Sequence, residues 1–392
     1  MTGSPLPLDG LVVTALEQAV AAPLATRNLA DLGARVIKIE RPDGGDFARG
    51  YDHVVEGMSS IFVWLNRGKE SVQLDLKSAA GLTTLHALLD RSDVVVSNLA
   101  PSARRRMGLT VDELRADHPD LIACFVSGYR TGGPNETRKA YDALIQAEAG
   151  HMSITGSPGA PAKTGSSIAD IAAGMQATSG VLAALRHRDR FGEVLPVEVS
   201  LFDSLLEWMA YPLYFAMHGG QWPEPMGTAH PNIAPYGAFR AGDGVSVMLA
   251  VQNEREWARL CSDVLGDPDL TTDPRFASNA ARAAHRTELD AAVAAGFVRY
   301  SSDELVERLD AAAIAWSRLT PVGDLPNHAE VAAPDRWVET PIPDSTVRTL
   351  RPTGTPGGRA PDRAGVPALG QHTDAVLAEL AVPQTSALRE GQ

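Results

Sequence analysis

Residues 11–40 read LVVTALEQAVAAPLATRNLADLGARVIKIE. Leu11–Leu16 has the short apolar pattern of a buried strand, and Ala34–Glu40 repeats it. Between them Glu17–Leu32 is helical in composition, with Pro23 near the start, where a missing N–H costs little. Gly33 stands where a helix C-cap belongs. Strand, helix, strand in this order predicts a right-handed parallel crossover and hence an α/β sheet of the nucleotide-binding kind. No G-x-G-x-x-G follows the first strand, so NAD and FAD are disfavoured.

Further along, Ser71–Leu76, Asp93–Ser97 and Leu121–Ser127 read as strands, with a helix over Gly81–Asp90. Their ends run into loops bearing Arg, Asn or Gly: Arg41 to Asp46, Asn98 to Ser102 and Gly128 to Pro134. In open parallel sheets ligands gather outside the carboxyl ends of strands. Arg41, Lys69, Arg104 to Arg106 and Lys139 can therefore converge on phosphates, although each taken alone reads first as a solvated surface cation.

The whole chain bounds the partners. At 392 residues two domains are expected. A net charge of −13 argues against a nucleic-acid or anionic membrane surface. Cys124 and Cys261 are too few and too apolar in context for a disulfide framework, which fits a reducing cytoplasm. No secretory signal and no uninterrupted apolar run near the roughly 20 residues of a membrane span is present.

A second region carries the chemistry. In KAYDALIQAEAGHMSITGSPGAPAKTGSSIADIAAGMQATSG, residues 139–180, a Gly/Pro-rich loop leads into a small-residue helix headed by Asp170. A carboxylate in a first helical turn faces unpaired N–H groups and the positive dipole end. Asp170 is thus expected ionised at neutral pH and fit to act as a nucleophile, although on spacing alone the commoner role of a helix cap is the first reading. Other chemistries find little support. The ten histidines show no metal-ligand spacing; His151 and His218 read as structural, and His230 as an acid/base candidate. Ser166 and Ser167 lack a nucleophile elbow, and there is no Walker A sequence.

Beyond residue 205, Leu201–Phe215 reads as a helix and Gly219-Gly220 opens a loop running to Asn232. Tyr236–Ala250 is patterned as a hairpin turning at Asp243-Gly244, and the mixed block that follows reads as a small separate domain.

Taken together, these segments resemble the family III CoA-transferases, the group that includes formyl-CoA transferase, carnitine CoA-transferase and α-methylacyl-CoA racemase. The likeness rests on Leu32 to Pro42, Gly45-Asp46 with Arg49, Asn66 to Lys69, Leu74 to Lys77, Asp93 to Pro101 and Met107 to Leu109. It continues through Tyr141-Asp142, Gln146-Ala147, Asp170 with Gly174, Val197 to Ser204, His230-Pro231, Pro235 to Gly237 and Leu369 to Thr373. The resemblance implies a large Rossmann-like domain with a parallel sheet, built from residues 1–205 and 326–392. It also implies a smaller α+β domain over 206–325 and an interlocked homodimer. It puts the catalytic aspartate at Asp170. CoA contacts fall on Val20, Ala21, Arg41, Leu74, Asn98, Leu99, Arg106, Met107, Lys139 and Tyr141. Coenzyme A would be a substrate, as acyl-CoA, with no permanent cofactor and no metal.

The racemase branch carries histidine where this chain has Tyr141, and a phenol near pKa 10 exchanges α-protons poorly, so transfer is favoured over racemisation. A non-catalytic CoA-binding protein is the third reading. Val20 replaces the glutamine of formyl-CoA transferase and its four-glycine loop is reduced to Gly219-Gly220, which weakens an oxalate or formate assignment. The wording AYDALIQAEAG, SITG and NLAPS is closer to transferases using succinyl-CoA and C4–C5 dicarboxylic acids such as itaconate, mesaconate or citramalate. For such an acid, Arg49, Arg130 and His230 are the candidate ligands, with Gly219 and Gly220 as candidate oxyanion donors.

Overall fold

Six strands build one parallel sheet: β1 (Val12–Leu16), β2 (Arg35–Glu40), β3 (Lys69–Gln73), β4 (Val94–Ser97), β5 (Ile122–Ser127) and, after a two-residue pair β6 (Gly156–Ser157) and β7 (Ala160–Pro161), β8 (Val197–Ser200). This computed structural model describes residues 5–220, 222, 224–359 and 365–381. Strand order is β3-β2-β1-β4-β5-β8, so the winding reverses between β1 and β4. Val13 of β1 registers with Val36 on one side and Val94 on the other. That reversal is a topological switch point, where α/β sheets bind ligands.

Two faces of the sheet are covered, which explains the near-continuous apolar runs of β1, β4 and β5. Alternation sends Val13, Ala15, Val36, Val94, Val96, Cys124 and Val126 into one core cluster. The other face takes Leu16, Ile37, Ile39, Val95, Ala123 and Phe125. The first cluster is roofed by helix α1 (Ala21–Asp31) and by a 24-residue helix, Ile168–Phe191. Gly174 of that long helix permits the close approach: a Cβ there would lie 2.7 Å from Ala21 O. Among the described residues this helix is also the one long and apolar enough to cross a membrane by length and composition. Its buried face, including Ala169, Ala173, Ala177 and Val181, is spent on this core.

The free edge of β3 is closed by the returning chain. His372 Nδ1 accepts the Ser71 N–H at 3.1 Å and Thr373 Oγ1 accepts that of Gln73 at 3.0 Å. The edge's donors are thereby satisfied without a seventh strand.

The chain divides into two compact units, one within Met1–His151, Thr164–Tyr214 and Ala333–Gln392, the other within Met152–Lys163 and Phe215–Ala332. The second has its own core, with Trp257, Leu260, Phe276, Leu289 and Phe297 packed around an antiparallel sheet. That sheet contains the expected hairpin, β9 (Tyr236–Arg240) with β10 (Ser246–Ala250). Its third strand spans Ala315–Arg318.

Candidate active site

The site is assembled at the start of the long helix. Its N-cap, Ser167, makes no side-chain cap bond. Instead Asp142, the first residue of the short helix Asp142–Glu148, accepts the Ala169 N–H at 2.8 Å and the Asp170 N–H at 3.4 Å through one oxygen. Gln146, one turn later, donates to the other oxygen at 2.7 Å and accepts the Thr164 N–H at 3.0 Å. The i,i+4 pair on one face of a helix thus organises the whole approach to Asp170.

Asp170 is therefore not the cap. It is the third helical residue, partly buried, and its carboxyl is pushed up to about 7, first by burial and then by the Asp142 charge. The expectation of a fully ionised carboxylate at neutral pH is corrected: desolvation and a like charge outweigh the helix dipole. The N–H groups that would have lowered its pKa are occupied by Asp142.

The first turns of the long helix lie against the end of the loop that leaves β1 and the start of α1. Ile171 packs against the cluster of Val20, Leu24 and Leu65, with Ala19 at its margin. That loop is held on two sides. Asn98 Oδ1 accepts the Gln18 N–H at 2.9 Å while its Nδ2 donates to Gln18 O at 2.8 Å, bridging the switch point. Asp46 Oδ1 accepts the Ala19 N–H at 3.1 Å.

Beneath the loop lies a charge network. Glu17 Oε1 meets Lys69 Nζ at 2.7 Å and Lys38 Nζ at 3.2 Å, and Lys38 meets Asp46 at 2.9 Å. The three side chains of Glu17, Lys38 and Lys69 are inaccessible to solvent. Burial, opposed by Glu17, brings the Lys69 ammonium down to about 7. Tyr51 borders the same region, its phenol pushed up by burial and then by Asp46, Asp170 and Tyr141.

The sequence-derived candidates fall into groups. Val20 and Ala21 are buried at the start of α1. Tyr141 is 66% exposed immediately before Asp142, and with Asp170 it acts on Tyr51. Asn98 has its amide committed to Gln18. Leu74 is buried, while Leu99 and Met107 are partly buried against the same apolar cluster. Arg106, Lys139 and Arg130 are exposed, and Arg41 donates to Gly45 O at 2.8 Å. Arg49 is engaged elsewhere: its fork bonds Glu40 at 2.7 and 2.9 Å, with its cation over Phe62.

In the second unit Gly219 ends a helix and Gly220 has φ +105°. His230 Nδ1 accepts the N–H groups of Asn232 and Ile233, both at 3.1 Å, and its ring stacks on Tyr236. Burial, then Arg286, holds that imidazole below its ordinary pKa, so it is neutral at pH 7. Sequence reading passed over the roles of Asp142, Gln146, Glu17, Asp46 and Tyr51. The available signal was the spacing of Asp142 and Gln146 ahead of a capless helix start.

The fold is an α/β fold whose parallel sheet reverses its winding between β1 and β4, with Asp170 in the first turn of a helix packed on that sheet. Residues 8–373 match the model of CoA-transferase family III. The chain belongs to that family and is a CoA-transferase. It is 33% identical over 392 residues to the succinate–glutarate CoA-transferase of Agrobacterium fabrum, covering 95% of this chain and 96% of the relative. To the acetyl-CoA:oxalate CoA-transferase of Acetobacter aceti it is 33% identical over 381 residues, covering 96% and 97%. The crystal structure of a CaiB/BaiF family protein from Brucella suis superposes with a TM-score of 0.83 at 32% identity, over 96% of this chain and 100% of that one.

Proposed function

We propose that this enzyme moves CoA from succinyl-CoA to a small dicarboxylic acid, of four or five carbons, through a covalent intermediate on Asp170. The observation that carries the reading is Asp170 itself, held near neutrality at a helix start beside the β1 loop. A carboxylate whose pKa is about 7 is more basic than a solvated one yet half ionised at pH 7.

In this scheme an Asp170 oxygen attacks the donor thioester carbonyl, the C–S bond breaks and CoA leaves as thiolate. The product is a mixed anhydride. The thiolate then attacks the Asp170 carbonyl carbon, releasing succinate and leaving an aspartyl-CoA thioester. The acceptor carboxylate attacks that carbon, displacing the thiolate, which takes the acyl group from the second anhydride and regenerates Asp170. The thioester bond energy is conserved, so the scheme consumes no ATP. N–H groups at the start of α1, which has no side-chain cap, are suited to the oxyanions.

The CoA moiety is assigned to Val20, Ala21, Arg41, Leu74, Leu99, Arg106, Met107, Lys139 and Tyr141, with Asn98 shaping the loop they surround. Arg130, Gly219, Gly220 and His230 remain the candidates for the acceptor. Arg49 is set aside because Glu40 neutralises it. A dicarboxylate acceptor is supported by the relatives, whose names give glutarate and oxalate as substrates. The working form is assigned as a homodimer, which would cover the exposed Trp208, Tyr211 and Tyr214. The cytoplasm is the assigned compartment, since Cys124 and Cys261 are free thiols.

Intact-mass analysis after incubation with succinyl-CoA, with hydroxylamine trapping, tests the reading. A CoA adduct mapped to Asp170, absent in Asp170→Ala, is the expected result. No adduct, together with deuterium exchange into a 2-methylacyl-CoA, would establish proton transfer in its place.

A further inference from the structure

Asp46 is almost completely buried, and each of its polar groups has a use. Oδ1 accepts the N–H of Ala19 at 3.1 Å and of Ala48 at 2.9 Å. Oδ2 takes the Lys38 ammonium at 2.9 Å, and the Asp46 N–H goes to Glu40 Oε1 at 2.9 Å. Apart from Glu17, which opens the β1 loop, Asp46 joins the charge network to that loop through the Ala19 N–H.

What it touches there is unusual. Ala19 has φ +61°, the left-handed region that a Cβ disfavours. Neither neighbour relieves this: Asn98 fixes both backbone groups of Gln18, and Val20 is already the N-cap of α1. The chain therefore turns sharply at one alanine and enters a helix whose first N–H groups have no side-chain cap. Ile171, next to Asp170, packs on the Val20–Leu24 cluster at that helix start.

We infer that Asp46 is a positioning residue for CoA transfer: by holding Ala19 in the left-handed conformation it aims the open N–H groups of α1 at the oxyanion formed on Asp170. The inference rests on the assignment of Asp170 as nucleophile. Asp46 touches no reacting atom in this scheme and acts only through Ala19.

Two variants separate this role from mere stability. Asp46→Asn removes the charge that Lys38 and the loop share. Ala19→Val leaves the network intact and makes the left-handed conformation costly through a branched side chain. With the full-length enzyme, the readouts are the single-turnover rate of adduct formation with succinyl-CoA, the KM for succinyl-CoA and the thermal midpoint. Both variants are expected to slow adduct formation about 10- to 100-fold, less than the roughly 100- to 1000-fold cost of outright loss of an oxyanion donor because the N–H groups are misaimed and not removed, with KM little changed. Ala19→Gly in the Asp46→Asn background is expected to recover part of the rate, because glycine enters that region freely.

An Ala19→Val enzyme that forms the adduct at the wild-type rate overturns the inference, and does so even where Asp46→Asn fails to fold. An Asp46→Asn enzyme that loses thermal stability but no rate overturns it as well. A wild-type enzyme that forms no adduct on Asp170 removes the nucleophile assignment and this inference together.

Discussion

Asp142 accepts the backbone N–H of Asp170 at 3.4 Å while its charge pushes the Asp170 side chain toward protonation. One carboxylate thus fixes the helix that presents the second and also raises its basicity. The arrangement places a titration near neutral pH, and the first prediction follows from it.

In the proposed scheme only ionised Asp170 attacks the thioester, and burial pushes its carboxyl up to about 7. kcat/KM for the acyl-CoA donor is therefore expected to fall about tenfold per pH unit below 7 and to level off above it. In Asp142→Asn the amide oxygen can still accept the Ala169 N–H, but the charge is gone. The acid limb should move to lower pH without reaching the ordinary aspartate range, since burial is the larger cause. A pH profile that is flat between 5 and 8 in both enzymes would remove Asp170 from the rate-determining chemistry.

The same displacement bears on stability. The folded pKa of Asp170 lies above its unfolded value near 3.8. The native state therefore binds the proton more tightly. The associated stability is fully present below the unfolded pKa and is lost as pH rises through about 7. The loss corresponds to at most about 4 kcal/mol. Asp170→Asn escapes it, so its melting temperature should exceed that of the wild type by a few degrees at pH 8 and match it near pH 4. Equal melting temperatures at pH 8 would contradict the burial argument.

Much of this was legible from the sequence, for reasons that are local. The 11–40 crossover follows from apolar period and from Gly33, whose φ of +108° is observed. Asp170 stands out because it heads a long helix after a Gly/Pro-rich loop. What could not be read involves partners distant in the chain. Asn98 reads as a strand-end ligand, and no local pattern shows that it also holds Gln18, 80 residues away. The ionisation of Asp170 depends on Asp142, 28 residues earlier, and on burial that no local pattern specifies. Arg49 reads as a free cation because Glu40 lies across a turn, on the end of β2.

The charge network gives a third prediction. Glu17 is the shared partner of Lys38 and Lys69, and its other oxygen accepts the Thr26 hydroxyl at 2.6 Å. Glu17→Gln leaves two buried ammonium groups facing an amide. Breaking such a cluster typically costs about 3–5 kcal/mol. Lys69, already near 7, can shed its proton and lessen the loss above that pH. Chemical denaturation at pH 6 and pH 9 should show the larger deficit at pH 6. A deficit below about 1 kcal/mol at both pH values would mean that water reaches the network.

The last prediction concerns the packing that carries Asp170 to the loop. Gly174 lies one helical turn after Asp170, and a Cβ there would stand 2.7 Å from Ala21 O and 3.0 Å from Leu24 Cβ. The first contact is with backbone, which cannot rotate away, so Gly174→Ala must displace the long helix from α1. Such overpacking typically costs about 1–3 kcal/mol. The displacement also carries Asp170 away from the start of α1, and a shift near 1 Å in a reacting group can cost about a hundredfold in rate. Gly174→Ala is therefore expected to lose far more of kcat than of stability, with CoA affinity retained. Gly165→Ala serves as the comparison, because a Cβ at Gly165 meets nothing within 4 Å. If both variants lose kcat equally, the α1 contact is not what sets the position of Asp170.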